Sequence, residues 1–175
     1  MRWRLLTYRL TSESSRDRVA VWRELRKVGA VALRQATWAV PGGEEFDVAL
    51  SRAVGYIERV GGRALLFEVV PTDATDEQLE QLFTEEREAE WVEFLSECDK
   101  VEAELANEVA KEKFTLAELE EEEQSLDRLR RWYRELRARD LFRAPSSPLG
   151  ERRLKDCTEA LEDFAERVFA ARESL

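Results

Sequence analysis

Residues 3–10 have the sequence WRLLTYRL, and the fold of the N-terminal half follows from this stretch. Leu6, Tyr8 and Leu10 alternate with Leu5, Thr7 and Arg9, a spacing that matches the two-residue period of a β-strand. Because both sets of alternating side chains are largely apolar, we expect a central strand that is covered on at least one face.

The segments that follow predict a helix, a hairpin, a helix and a last strand. A helix is expected from Ser14 or Ser15 to about Val28, with Gly29 as its stop. Its predicted buried stripe is Val19, Trp22, Leu25 and Val28. Residues 30–41 are expected to form two strands joined by a turn near Gln35 and Ala36, residues 44–60 a helix and residues 63–70 a strand. The resulting order, βαββαβ, predicts an α+β fold of the ferredoxin-like type.

Residues 73–175 are predicted to form a second, all-helical region after a ferredoxin-like domain over residues 1–72. Three apolar stripes repeat at helical spacing: Trp91, Phe94, Cys98, Val101, Leu105 and Val109; Leu119, Leu126, Leu129, Tyr133 and Leu136; and Leu154, Cys157, Leu161, Phe164 and Val168. Thr115 and Glu118 have capping-box spacing, which favours an antiparallel helical hairpin and a final helix. The absence of Gly and Pro near Phe114 also allows one long helix over residues 76–140.

The composition excludes several classes of enzyme. The chain has 175 residues, no histidine and two cysteines that lack C-x-x-C spacing, so Ser-His-Asp triads and His-bearing zinc sites are impossible. Gly42-Gly43 and Gly61-Gly62 match neither phosphate-loop spacing, and four consecutive glutamates, Glu120 to Glu123, point in different directions on a helix. We therefore expect no enzymatic activity, no metal and no cofactor.

Cys98 and Cys157 are expected in the core, and a cytoplasmic location with no membrane segment is predicted.

The net charge of −10 hides a strong segregation along the chain. Residues 1–40 hold nine basic and three acidic residues, whereas residues 76–125 hold four basic and nineteen acidic residues. On the first helix Arg16, Arg23 and Lys27 lie within about 40° of one another. With Arg2, Arg4 and Arg9 of the first strand they predict a basic face for phosphate groups. The alternative is an ordinary solvated helix face.

A second basic stripe, Arg130, Arg134 and Arg137, with Arg131 and Arg139 beside it, lies on the penultimate helix. It can also contact phosphate, or it can pair with acidic residues of the preceding helix, namely Glu90, Glu93, Glu97 and Glu104. Arg2, Arg4 and Arg9 can alternatively form a cradle for a chromate or sulfate dianion. Trp3, Trp22 and Trp38 could stack on bases, but their positions favour burial in the core.

Two resemblances add to these expectations. Residues 3–70, with WRLLTYRL, an Arg-rich helix and GAVALRQATWAV, resemble small ferredoxin-like endoribonucleases of CRISPR systems and the middle domain of PaaX-type repressors. The endoribonuclease family carries a metal-binding aspartate after the first-strand tyrosine. Arg9 occupies that position here and would repel Mg²⁺, so the resemblance implies the fold and not the nuclease chemistry.

The second resemblance spans nearly the whole chain. The opening strand, RVAVWRELRKVGAV at 18–31, KFTLAELEE at 113–121 and RRWYRELRARDLF at 130–142 are similar to the N-terminal domain of ChrB. That family implies a chromate-responsive, DNA-binding regulator of a chromate efflux transporter. Chromate sensing is attributed to a C-terminal domain of full ChrB proteins, so this region would be the half that contacts DNA or assembles with a separately encoded partner.

Together these observations give two functional hypotheses. The first is a non-enzymatic regulatory module that binds promoter DNA as a homodimer through its basic N-terminal face. The second is a protein interaction module in which the acidic helices dock a separately encoded sensor domain without DNA.

Overall fold

The computed structural model describes residues 1–11 and 14–173. Its four strands are β1 (Trp3–Arg9), β2 (Val31–Arg34), β3 (Thr37–Pro41) and β4 (Arg63–Val69). Its five helices are α1 (Ser15–Val28), α2 (Glu44–Arg59), α3 (Asp73–Ala110), α4 (Leu116–Arg139) and α5 (Ser147–Glu173). They group into two compact units, residues 1–86 and residues 87–175, so the first part of α3 belongs to the first unit.

The first unit is a four-stranded antiparallel sheet with the order β2-β3-β1-β4. β1 pairs with β3 on one side and with β4 on the other, as expected for a central strand. The predicted ferredoxin-like α+β class and the βαββαβ order are confirmed. Gly29 ends α1 with a φ of 83°, and Ala36 has a φ of 60° in the turn of the β2–β3 hairpin.

The buried face of α1 differs from the predicted stripe. Val21, Leu25 and Val28 are buried, whereas Trp22 is 50% exposed and Val19 is 44% exposed. The prediction of burial was therefore wrong for Val19 and Trp22, although it is confirmed for Trp3 and Trp38. The reason is geometric: four residues spaced by three drift by about 60° at each step, so they cannot share one face of a helix. The Arg26 guanidinium lies 5.9 Å from the Trp22 ring centre.

The core of the first unit forms where α1, α2 and the start of α3 meet the sheet. Leu6 and Val40 of the sheet are fully buried, as are Leu25 of α1 and Ile57 of α2. Phe83 of α3 makes edge-to-face contacts with both Trp3 and Phe46. The Trp3 indole N–H donates to Asp76 at 2.6 Å, so the first turns of α3 are held against the start of β1.

The second unit is helical, and all three predicted stripes line its core. The hairpin alternative is confirmed, because α3 ends at Ala110 and α4 begins at Leu116. Thr115 is the N-cap of α4, and its hydroxyl accepts the Glu118 backbone N–H at 3.3 Å. The chain leaves α3 through Glu112, which has a φ of 53°, and the Thr115 cap starts α4, so the break forms without glycine or proline. No helix of the described residues is long and apolar enough to cross a membrane.

Gly150 of α5 packs directly against Trp91 of α3. A Cβ atom at this position would lie 2.5 Å from Cζ3 and 2.7 Å from Cε3 of the buried Trp91 ring. The Trp91 indole N–H also donates to Asp140 at 2.9 Å, which fixes the ring in place. The contact therefore requires glycine for lack of space.

We expect the Gly150→Ala variant to unfold more readily, by about 1–3 kcal/mol, because the added methyl group overpacks the core against Trp91. Gly55→Ala is the matched control: Gly55 lies in α2 and a Cβ there meets nothing within 4 Å. That control should gain about 0.5–1 kcal/mol from helix propensity. Urea unfolding measures the stability of both variants. A Gly150→Ala variant that is as stable as the wild type, or more stable, would contradict the Trp91 contact.

Candidate nucleic-acid interface

The three basic residues predicted on the first helix lie together on α1. Arg16, Arg23 and Lys27 are all exposed, and they occupy the side of the helix opposite Val21 and Leu25. Lys27 donates to Glu24 at 2.7 Å. The outer face of α1 therefore presents two arginines without an ion-pair partner among the described residues and one lysine beside a carboxylate.

Arg4 is held by two carboxylates. Its Nε donates to Asp47 Oδ1 at 2.7 Å, its Nη2 donates to Asp47 Oδ2 at 2.9 Å, and its Nη1 contacts Glu68. These hydrogen bonds raise the pKa of Arg4 and lower the pKa of Asp47. Arg2 shares the second carboxylate, because its Nη1 donates to Glu68 at 3.2 Å. The charges of both arginines are therefore balanced within the fold.

Arg9 lies at the opposite end of β1, where the structure gives it a different environment. The β1–β4 register places Arg9 directly opposite Arg63, and both side chains are exposed. Because side chains alternate between the faces of a strand, Arg9 lies on the opposite face of β1 from Arg2 and Arg4. The structure therefore does not bring these three arginines into one oxyanion cradle.

The Arg9–Arg63 pair has no ion-pair partner among the residues that the structure describes. Like charges directly opposite each other on adjacent strands destabilise a sheet. A phosphate or another anion bound between the two guanidinium groups would relieve this repulsion. The pair is therefore a better candidate for anion binding than the charge-balanced Arg2 and Arg4.

Several other arginines lie at the same end of the first unit. The Thr11 hydroxyl donates to the Gly61 carbonyl at 2.7 Å, so the chain leaving β1 contacts the loop before β4. The end of β2 and the end of α2 are at this end as well, and the first turn of α1 adds its helix dipole. We define the basic end by the exposed arginines of these elements: Arg9, Arg16, Arg34, Arg59 and Arg63. Asp17 and Glu58 are acidic residues on the same elements.

Three members of the basic end, Arg34, Arg59 and Arg63, were not predicted from the sequence. They are far apart in the chain, and each one alone is an ordinary exposed arginine. Their proximity follows from the strand pairing, in which Arg34 pairs with Thr37 and Arg63 pairs with Arg9. The guanidinium of Arg59 also lies 5.2 Å from the Tyr56 ring centre, which keeps it at the end of α2.

The three arginines of the second predicted stripe lie on α4, and they differ in their partners and exposure. Arg130 contacts Asp127 of its own helix at 3.3 Å, Arg137 donates to the Ser147 hydroxyl at 3.3 Å, and Arg134 is exposed. Of the four acidic residues considered as their partners, Glu90 binds Arg139 at 3.1 Å and Arg87 at 2.8 Å. Glu97 binds Lys100. The predicted pairing between the two helices is therefore present at Arg139 and Glu90, whereas Glu97 pairs within its own helix.

Glu93, Glu97 and Glu104 instead line one cleft between α3 and α4, together with Arg128 and Trp132. Among the described residues, no group of three or more Cys, Asp or Glu side chains is placed to hold a metal ion.

The two cysteines are fully buried, and the Cys157 thiol donates to the Cys98 carbonyl at 3.5 Å. The hydrogen bond with Cys157 and burial raise the pKa of the Cys98 thiol. Both cysteines pack in the core as predicted.

One carboxylate of the acidic helices is buried without compensation. Glu122 is 6% exposed, and its Oε2 atom has no hydrogen-bond partner among the described residues. Burial, followed by the charges of Glu104 and Glu121, raises the pKa of Glu122 to about 7. The folded state therefore favours the protonated carboxyl group at mildly acidic pH.

This shift makes stability depend on pH. A raised pKa means that the contribution of Glu122 is fully present below its ordinary pKa of 4.5 and is lost as pH rises through about 7. We expect Glu122→Gln to match the wild type near pH 4.5 and to be more stable above pH 7, by up to about 3 kcal/mol at about 1.4 kcal/mol for each pKa unit. Glu120→Gln, an exposed neighbour, is the control. Unfolding curves across this range test it, and parallel wild-type and Glu122→Gln profiles would contradict it.

Comparison with known proteins identifies the family of the chain. The model of the family described as "Protein ChrB, N-terminal" matches residues 18–175. Neither the search of curated proteins nor the search of solved structures finds a match. The match covers most of the sequence, and the chain therefore belongs to the ChrB N-terminal family.

Proposed function

We propose that this ChrB-family chain, part of a regulatory family of chromate resistance, binds DNA through the basic end and the outer face of α1. It acts without catalysis, and its DNA target is the promoter of a chromate efflux gene. The observation that supports the proposal most strongly is the opposed Arg9–Arg63 pair, which has no carboxylate partner among the described residues.

The charge distribution explains how an acidic chain could bind a polyanion. At physiological ionic strength a charge is screened beyond roughly 8–10 Å, so the net charge of the chain does not by itself exclude a local basic surface. Phosphate contacts need several positive side chains in register and no base-reading motif. Arg16 and Arg23, two helical turns apart, and the Arg9–Arg63 pair meet this requirement in the first unit.

The proposal distinguishes between arginines that the sequence cannot tell apart. Arg2 and Arg4 are assigned to folding, because Asp47 and Glu68 hold them. Arg9, Arg16, Arg23 and Lys27 are assigned to DNA, with Arg63 as a new member. Arg130, Arg134 and Arg137 remain a possible second contact surface on α4, with Arg134 the most accessible.

The first test reverses the charge of the α1 face. We expect the triple variant Arg16→Glu, Arg23→Glu and Lys27→Glu to bind duplex DNA at least about 100-fold more weakly at low salt, because three phosphate contacts become repulsive. Fluorescence anisotropy over a salt series should also show a log–log slope that is smaller by about 3.

The control for this test changes the net charge by the same amount elsewhere. Arg152, Arg167 and Arg172 are exposed on α5 and have no ion-pair partner among the described residues. Their triple change to glutamate should leave affinity within about threefold of the wild type, because these residues are not part of the proposed contact surface. If both triple variants lose affinity equally, net charge explains the result and the α1 assignment is wrong.

The second test separates anion binding from a structural role at the Arg9–Arg63 pair. We expect the double variant Arg9→Gln and Arg63→Gln to weaken DNA binding about tenfold or more while thermal stability stays equal or rises, because a repulsive cross-strand pair is removed. Differential scanning fluorimetry and anisotropy provide the two measurements. A stability loss that accompanies unchanged DNA affinity would show that the pair serves the fold.

The alternative function is a protein interaction module. The helical unit exposes large apolar side chains on several helices, including Val92 at 54% and Phe169 at 52%. These could contact a separately encoded sensor domain. If the wild type fails to bind DNA at micromolar concentration and low salt, this alternative replaces the DNA proposal.

A further inference from the structure

β4 is an edge strand with unusually exposed apolar side chains. It pairs with β1 on one side only, because it lies at the end of the sheet order. Within it Leu65 is 61% exposed, Leu66 44% and Phe67 48%, and Val70 directly after it is 76% exposed. A long, apolar and unpaired edge is a site of association with another strand.

The exposed side chains lie on both faces of β4. Leu65 and Phe67 share one face, and Leu66 lies on the other, since side chains alternate along a strand. A helix or loop that docked on one face would leave the other face in water. A strand added along the edge covers both faces and also pairs the outward N–H and C=O groups of β4. The pattern of exposure therefore favours strand addition.

The opposite edge of the same sheet is protected against this kind of association. β2 has four residues, compared with seven in β4. Its pairing with β3 shifts register between Ala32 and Arg34, and it ends on an exposed arginine. Short length, an irregular register and a terminal charge are the features by which natural sheets prevent edge pairing. β4 has no such protection at its centre.

We propose that β4 pairs antiparallel with β4 of a second copy of this chain, about a twofold axis at Leu66. This register opposes Leu65 to Phe67 of the second copy in both directions and pairs all seven residues. The charged residues of the strand are Arg63 and Glu68, and Glu68 is already bound to Arg2 and Arg4. In this register Arg63 lies opposite Val69 and Glu68 lies opposite Ala64 of the second copy, so no like charges are directly opposed.

A second copy is favoured over a different protein because the joined sheet then has no unprotected edge strand. Two sheets joined at β4 form one eight-stranded sheet whose outer edges are both the protected β2. The contact is self-complementary and closes on itself, so no unprotected edge remains. A foreign strand would bring a second edge of its own. This inference shares Arg63 with the proposed DNA site, but its central residue, Leu66, lies outside the basic end and outside the α1 face.

The first experiment measures mass in solution by light scattering after size exclusion. The wild-type full chain should be a dimer at micromolar concentration, and Leu66→Lys should be a monomer, because the charge would be buried at the centre of the pairing. Val48→Lys is the control, since Val48 is 50% exposed on α2 and outside the proposed contact. It should remain dimeric, and circular dichroism verifies that both variants fold.

The second experiment tests the register without adding charge. Leu66→Cys should form a disulfide between two copies on mild air oxidation, because the two Cβ atoms across the axis are within disulfide range. Val48→Cys should not. Cys98 and Cys157 are buried, so they do not contribute to cross-linking in the folded chain.

The outcomes are separable from those of the DNA tests. A wild type that is monomeric at high micromolar concentration would overturn the proposal. A dimer that Leu66→Lys and Val48→Lys leave equally intact or weaken equally would also overturn it. DNA affinity measured on the α1 variants does not bear on either result.

Discussion

The guanidinium of Arg4 ties three elements of the first unit together. Arg4 lies on the central strand β1. Its guanidinium donates two hydrogen bonds to Asp47 of α2 and contacts Glu68 of β4. A planar fork that binds a carboxylate with two parallel hydrogen bonds fixes orientation as well as distance. Arg4 therefore links α2 to β4, in addition to the pairing of β4 with β1 and the packing of α2 in the core. β4 is held from its inner side only.

This contact also divides the arginines of the sheet into two groups. Near the start of β1, carboxylates from α2 and β4 balance Arg2 and Arg4. Near its end, Arg9 meets Arg63. Arg4 and Arg9 are five residues apart on β1, roughly 17 Å at the rise of a β-strand, which exceeds the screening length. The carboxylates that balance Arg2 and Arg4 therefore do not balance Arg9 and Arg63.

Local sequence patterns were sufficient for the elements and for part of the core. The Thr115 cap, the Gly29 stop and the three stripes of the helical unit each depend on residues within one or two turns, so the sequence alone predicts them. The stripe assigned to α1 failed where steps of three residues were taken as one face. The Arg16, Arg23 and Lys27 face was predicted correctly in position because it follows from helix geometry alone.

The candidate site was only partly predictable, because its other members are joined by strand register. The Arg9–Arg63 pair links positions 54 residues apart in the chain, and the Arg4–Glu68 contact links positions that are 64 apart. A register shift by one residue would send every side chain of β4 to the other face. Only the paired sheet shows which arginines meet carboxylates and which meet each other.

The half-exposed Trp22 gives the first unit an intrinsic optical reporter. Trp3, Trp38 and Trp91 are buried and Trp132 is half-buried, whereas Trp22 is half-exposed on α1, one residue before Arg23 and beside Arg26. Iodide, an anionic collisional quencher, would be drawn to this indole by the neighbouring guanidinium groups. The emission of an unlabelled protein can therefore report what occupies the outer side of α1.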